Sequence, residues 1–298
     1  MAEKPLVADH LEDKIKRRKH LQNTPSPLPE RTRIITVSNQ KGGVGKTTTT
    51  VNLASALARR GANVLVIDLD PQGNASTALG VPHRPETTSV YEVLLGDATI
   101  AEALQESSDH ENLSCVPSTI HLAGAEIELV SLVAREQRLR TALTAFLESS
   151  ERKYHYVFID CPPSLGLLTV NAFVAGSEVL IPIQCEYYAL EGLSQLLGNI
   201  QLIQKHLNPT LQVSTILLTM YDARTNLAQE VANEVREHFP KEVLDAVIPR
   251  SVRISEAPSY GQTVHEYDSA SIGALAYLEA AAEIAERGTG SKLDNEGV

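Results

Sequence analysis

The residues best suited to chemistry crowd into one stretch, "NQKGGVGKTTTT", running from Asn39 to Thr50. Gly42, Gly43 and Gly45 precede Lys46 and Thr47, a composition that lets successive backbone N–H groups turn inward around phosphate oxygens. In such a loop Lys46 bridges the outer phosphates and Thr47 offers its hydroxyl to Mg2+. The generic pattern G-x-x-x-x-G-K-[ST] asks for glycine at position 40, where this chain has Gln40, and does not ask for a lysine at position 41. Gly42 and Gly43 supply the freedom that Gln40 lacks. Lys41 is therefore the residue to be explained.

A nucleotide hydrolase also needs carboxylates at neighbouring strand ends, to hold the metal and to orient a water. "DLDPQGN" starts at Asp68 and "DCPPSLG" at Asp160, each closing an apolar run. The two-residue period of an extended chain sets Asp68 and Asp70 on one side. Asp68 and Asp160 are accordingly assigned to the metal, with Thr47, and Asp70 to the attacking water.

Elements that could position these groups follow from the apolar patterning. Strands are expected over Arg33 to Asn39, Asn63 to Asp68, Tyr156 to Asp160, Glu178 to Ile183 and Val213 to Thr219, with weaker candidates at Leu113 to Val116 and Val243 to Ile248. Their interiors are nearly continuous in Val, Ile and Leu, as parallel strands covered on both faces require. Helices alternate with them, among them Thr47 to Arg60, closed by Gly61, and Ala189 to His206. The fold class expected is α/β: a doubly wound, mostly parallel sheet flanked by helices, with ligands outside the carboxyl ends of the strands.

The chain has 298 residues, 43% hydrophobic and 21% charged, enough to bury a full core. Its net charge of -11 argues against a protein that coats nucleic acid, so any DNA contact must come from a local patch. No apolar run reaches the ~18 residues of a membrane span, and charge occupies the N-terminus; a cytoplasmic protein without stable membrane insertion is expected. Cys115, Cys161 and Cys185 lack metal-site spacing and read as small buried residues. Residues 1–31, with three closely set prolines and the basic run "KIKRRK", read as a disordered arm; 32–286 as a single catalytic domain; 287–298 as a flexible tail.

Five stretches together, "KGGVGKTT", "VIDLDPQGNAS", "FIDCPPSLGLLTVNA", "TMYDARTNL" and "IPRSVRISEAPSYGQTVHEYD", resemble the ParA (Soj) family of chromosome and plasmid partition ATPases, across roughly residues 33–285. The loop by itself marks only the wider group of P-loop NTPases with a deviant Walker A motif. The resemblance implies ATP and Mg2+ as cofactors, and nucleotide contacts from Lys41, Gly42, Gly43, Val44, Gly45, Lys46, Thr47 and Thr48. It places adenine contacts near Pro249 and Ser251, where many relatives carry Asn in place of Ser251. Lys41, Lys46 and Asp70 form the implied catalytic set, with Lys41 reaching across an ATP-dependent homodimer to the partner's phosphates.

The same resemblance implies non-specific binding of double-stranded DNA by the dimer, through Arg224, Arg250 and Arg253, and a nucleoid-associated location. A ParB-like partner is expected to accelerate slow hydrolysis and so release the DNA. The competing reading of these arginines is structural, a helix end or a pair with Glu256. Among rival functions, a MinD-like membrane-associated ATPase would need a basic amphipathic C-terminal helix, whereas "ALAYLEAAAEIAER" is Ala-rich and acidic. A redox protein of the nitrogenase iron type would need its cysteines on mobile, often Gly-rich loops, whereas Cys161 is pinned by Pro162 and Pro163. A small-molecule ligase would need a further catalytic constellation, and none is evident.

Overall fold

A computed structural model describes residues 7–186 and 189–290. In chain order its elements are α1 (Val7–Asn23), β1 (Arg33–Val37), α2 (Lys46–Arg59), β2 (Val64–Asp68), α3 (Asn74–Ala78), α4 (Val90–Leu95), α5 (Ile100–Ala103), β3 (Gln105–Glu106), β4 (Leu113–Val116) and α6 (Leu122–Leu129). There follow α7 (Arg138–Ser149), β5 (Tyr156–Asp160), α8 (Leu167–Ala175), β6 (Glu178–Gln184), α9 (Ala189–His206), β7 (Gln212–Thr219), α10 (Asn226–His238), α11 (Val252–Glu256), α12 (Val264–Tyr267) and α13 (Ile272–Gly290).

The strands assemble in the order β3-β4-β2-β5-β1-β6-β7, all parallel except β3, which pairs antiparallel with β4 at one edge. Successive side chains of a strand face opposite ways, and β2 shows the result. Val64 and Val66 join the core beneath α2 and α13, while Leu65 and Ile67 join the core beneath α4, α7 and α8. A third core lies under α9 and α10. Register brings Val37 level with Asp160, and Asp68 level with Asp160, so the loop after β1 and both carboxylates share the carboxyl edge of three adjacent strands. The expected doubly wound α/β architecture is the one observed.

Three expectations differ from the structure. Val243 to Ile248 forms no strand: Val243 bridges Ile216 singly, and the N–H groups of Asp245 and Ala246 donate to the Glu283 carboxylate, which diverts them from β7. The arm expected to be disordered contains α1, a helix whose Leu21 packs on Leu275 and Ala282 and whose Arg17 pairs with Glu279 at 2.5 Å. Burial of one leucine and partners for its charges give that segment what its weak apolar periodicity did not advertise. Helix α13 extends to Gly290, past the expected start of the tail at 287; residues 1–6 and 291–298 lie outside those described. Its Ala274, Leu275, Tyr277, Ala280, Ala281 and Ile284 are in the core, and no described helix is long and apolar enough to cross a membrane. All three cysteines are buried, and burial pushes their thiols up from the ordinary value.

Candidate nucleotide-binding and hydrolysis site

The loop between β1 and α2 adopts backbone angles that side chains resist. Gly43 has φ 75° and Gly45 φ 86°, both left-handed, which is why glycine stands there. Gly45 caps α2 with no side-chain hydrogen bond, so the first N–H groups of a 14-residue helix point out of its end together with the positive pole of its dipole. That is an anion site built from backbone. The wall behind it comes from β7: Thr219 donates to the Val44 carbonyl at 2.9 Å, and Met220 takes a positive φ of 50° beside Gly45.

Lys46 is buried, and its ammonium donates to the Lys41 carbonyl at 3.2 Å. Burial lowers its pKa; the charges of Asp160 and Asp70 pull the other way. Lys41 behaves differently. Its backbone N–H is held by Asn39 Oδ1 at 3.0 Å, but its side chain is 41% exposed and pairs with Glu186 at 2.8 Å on the surface. Gln40 Nε2 is buried with no partner among the described residues, an orphaned donor at the base of the loop. Gln40 thus has more to offer than tolerance of a missing glycine.

The carboxylates are not equivalent. Asp160 is wholly buried and accepts from Thr47 Oγ1 at 2.7 Å and Thr50 Oγ1 at 2.9 Å. Burial first, then the neighbouring charge of Asp68, raises its pKa to about 7. Thr47 and Asp160 thus present hard oxygens side by side at the loop, the donor chemistry of Mg2+. Among the described residues no group of three or more His, Cys, Asp or Glu could hold a metal ion.

Asp68 is held by different partners. Its Oδ2 accepts from Ser76 N at 2.8 Å and Ser76 Oγ at 2.7 Å, and its Oδ1 from Asp70 N at 3.2 Å. Three such bonds to a wholly buried carboxylate brace the turn that carries Asp70; burial raises its pKa to about 6 despite them. Asp70 itself is half-buried, accepts from Gln72 N at 3.0 Å and lies within electrostatic reach of Lys46, a placement that suits a water-orienting group.

A second cluster lies along the same sheet edge. Tyr221 bridges Pro249, and Arg250 N donates to the Tyr221 carbonyl at 3.2 Å, which brings the loop of Arg224 against the segment of Pro249, Arg250 and Ser251. Arg224 is 88% exposed and held by Asp222 at 2.7 Å, and that pair lowers the Asp222 pKa to about 2. Arg250 is exposed. Arg253 pairs with Glu256 at 3.3 Å and Asp268 at 3.5 Å, and its guanidinium lies 6.0 Å from the Tyr267 ring centre. Ser251 precedes α11 without a side-chain cap bond. Asn39, Thr50, Ser76 and Thr219 lie inside the quoted motifs without an assigned role, and Glu186 lies outside them; each acts by holding a motif residue in place.

The chain matches, over residues 32–213, the family described as an AAA domain. It is 53% identical over 256 residues to the sporulation initiation inhibitor protein Soj of Bacillus subtilis, covering 86% of this chain and 99% of that protein. It is 51% identical over 257 residues to the chromosome partitioning protein ParA of Myxococcus xanthus, covering 86% and 89%. Among solved structures it resembles cobyrinic acid a,c-diamide synthase of Mycobacterium smegmatis with a bound ATP analog and magnesium: TM-score 0.70, 38% identity, 84% of this chain and 93% of that one.

Proposed function

Because the chain belongs to the Soj/ParA family of chromosome-partitioning ATPases, we propose that it runs an ATP-gated cycle: dimerisation on ATP, retention on DNA, and release when a ParB-like partner stimulates hydrolysis. ATP and Mg2+ are its cofactors, and the chemistry Mg2+ supplies when bound is neutralisation of charge on the transferring phosphoryl group. Everything else falls to side chains and backbone. The α2 N-terminus and Lys46 hold phosphate oxygens. Thr47 and Asp160 hold the cation, Asp68 holds the turn, and Asp70 orients the attacking water.

What carries the dimer in this reading is Lys41. A lysine that served only its own loop would lie inward, as Lys46 does; Lys41 instead reaches outward to Glu186. An exposed pair of this kind is worth roughly 0–1 kcal/mol, so the ammonium can exchange it for a partner's phosphates at little cost. Two facing nucleotides concentrate negative charge, and a lysine from each side offsets it where water is thin.

Dimerisation also accounts for DNA retention by so acidic a chain. Each copy brings one edge bearing Arg224, Arg250 and Arg253, and doubling the edge multiplies the phosphate contacts. Arg224 and Arg253 exchange Asp222 and Glu256 for phosphate, and each phosphate they neutralise releases counterions, so retention falls steeply with salt. The experiment is retention of duplex DNA with ATP, ADP or no nucleotide across a salt series. Retention confined to ATP and lost in Lys41→Ala is the expected result; equal retention in all three states would reject the cycle.

A further inference from the structure

Helix α1 carries five cations and no acid between Lys14 and Lys19, in a chain whose net charge is -11. Two of the five hold the helix to the domain. Arg17 pairs with Glu279 of α13 at 2.5 Å, and Arg18 Nη2 donates to the Ser269 carbonyl. Arg60 fixes the other end of α1, donating to the Leu21 carbonyl at 3.2 Å and to the Thr24 carbonyl at 3.1 Å. Lys16 and Lys19 take no part in this. Both are exposed, they stand three residues apart and so share a face of the helix, and among the described residues neither has an ion pair.

The place of that face follows from three consecutive residues. The Tyr267 ring centre lies 6.0 Å from the Arg253 guanidinium, Asp268 pairs with Arg253 at 3.5 Å, and Ser269 accepts from Arg18. A single turn thus joins α1 to the edge that bears Arg224, Arg250 and Arg253. Pinned in this way, the two ammonium groups stand on a fixed helix beside that edge, and engaging a ligand costs them far less freedom than a disordered arm would lose.

We propose that Lys16 and Lys19 extend the DNA-binding edge, so that in the ATP-bound dimer α1 of each copy contacts duplex phosphates next to Arg253. This rests on the DNA retention proposed above and adds a surface to it. Ammonium groups on flexible stems neutralise phosphate charge without reading bases, which suits binding of any sequence. The gate stays with ATP: one copy brings two of these lysines, the dimer four, and the contacts of both edges act together only when the copies are joined. Anionic lipid is disfavoured by the same helix. Leu21 is buried against α13, and of the described α1 side chains Ile15 alone is apolar and exposed, which leaves no apolar face to enter a bilayer.

The test is retention of a duplex DNA of arbitrary sequence by the full chain with Mg2+ and ATP, across a salt series, for the wild type and for the double variant Lys16→Gln, Lys19→Gln. Circular dichroism and ATP-dependent dimerisation check that each variant is folded. The double variant is expected to bind at least about tenfold more weakly near ~0.1 M salt, with a log–log salt slope shallower by about 2 to 4, the equivalent of one or two phosphates lost per copy. Lys16→Arg with Lys19→Arg should keep wild-type binding. Lys153→Gln with Lys205→Gln, an equal change of charge on exposed lysines before β5 and at the end of α9, should keep it too. Wild-type affinity and slope in the Gln double variant, while Arg224→Glu still abolishes retention, overturn the α1 surface and leave the ATP-gated cycle standing. Equal weakening by the Lys153 and Lys205 changes also overturns it, since net charge and not a surface would then be at work. No retention by the wild type with ATP rejects the cycle and this surface together. ATP-dependent pelleting with phosphatidylglycerol vesicles that is lost in the Gln double variant, with DNA retention unchanged, overturns the DNA assignment and gives the helix to lipid.

Discussion

At its first turn α2 offers bare backbone N–H groups, Lys46 and a pair of buried carboxylates; at its last turn it offers Arg59 and Arg60, which reach into other elements. Both ends handle buried charge, but with different materials. The loop end is built on contiguous backbone, which a short motif specifies, with carboxylates from β2 and β5 added beside it. The arginine end is made of long side chains whose partners, Asp109, Leu21 and Thr24, are scattered along the sequence. The first can be read from a few consecutive letters, whereas the second exists only once the chain has folded.

Replacing Lys46 with Gln tests the loop end most severely. The expected loss of ATP affinity, measured calorimetrically, is at least ~100-fold, since a charged hydrogen bond to phosphate disappears inside a buried site. A smaller loss would mean that the backbone alone holds the nucleotide.

The two ends should also respond oppositely to pH in the nucleotide-free protein. Burial raises Asp160 to about 7 and Asp68 to about 6, so folding favours their protonated forms. The stability they contribute is fully present below their unfolded pKa near 4 and is lost as pH climbs through 6 and 7. Beside the arginine end, burial first and then the charge of Arg59 push His265 down to about 4. Its unfolded form takes up a proton that the folded form refuses, so its contribution is complete above about 6.5 and is lost as pH falls toward 4. Denaturant melts at pH 5 and pH 7.5 should therefore show Asp160→Asn gaining on the wild type at the higher pH, by on the order of 2 kcal/mol, and Mg2+ with ATP closing that gap. A constant difference across pH would remove the carboxylate from the account.

Arg60→Ala leaves the carbonyls of Leu21 and Thr24 without their donor and should cost roughly 1–2 kcal/mol, visible as early hydrogen exchange confined to α1. Global unfolding in that variant would mean that α1 belongs to the cooperative core. Lys41→Ala should change monomer stability least, by less than about 0.5 kcal/mol, because it removes only an exposed pair with Glu186; a large shift in its melting curve would contradict a side chain free to change partners.

The parallel strands, the loop and its three carboxylates were legible because each rests on local patterning: apolar runs for β1, β2 and β5, glycines for positive φ, and acids at strand ends. The bonding of Asp68 was not, since nothing in "DLDPQGN" says that Ser76 will donate twice to one of its oxygens. Nor was the fate of Val243 to Ile248, where Glu283, some forty residues later, takes the N–H groups that a strand would have used. Helix α1 was hidden for a similar reason: its stability depends on Leu275, Glu279 and Arg60, none of them near it in sequence.

Strand β1 carries the phosphate loop, yet both its neighbours come much later in the chain: Arg33 lies opposite Tyr156, and Ile35 opposite Glu178. On the ribosome the loop therefore emerges long before its sheet. β4 can already pair with β2, but until β5 leaves the exit tunnel no strand joins β1 to β2, and the Asp160 that faces Thr47 is missing from the carboxyl edge. Competence for ATP should thus appear late and abruptly during synthesis, when the second half of the polypeptide closes around the first.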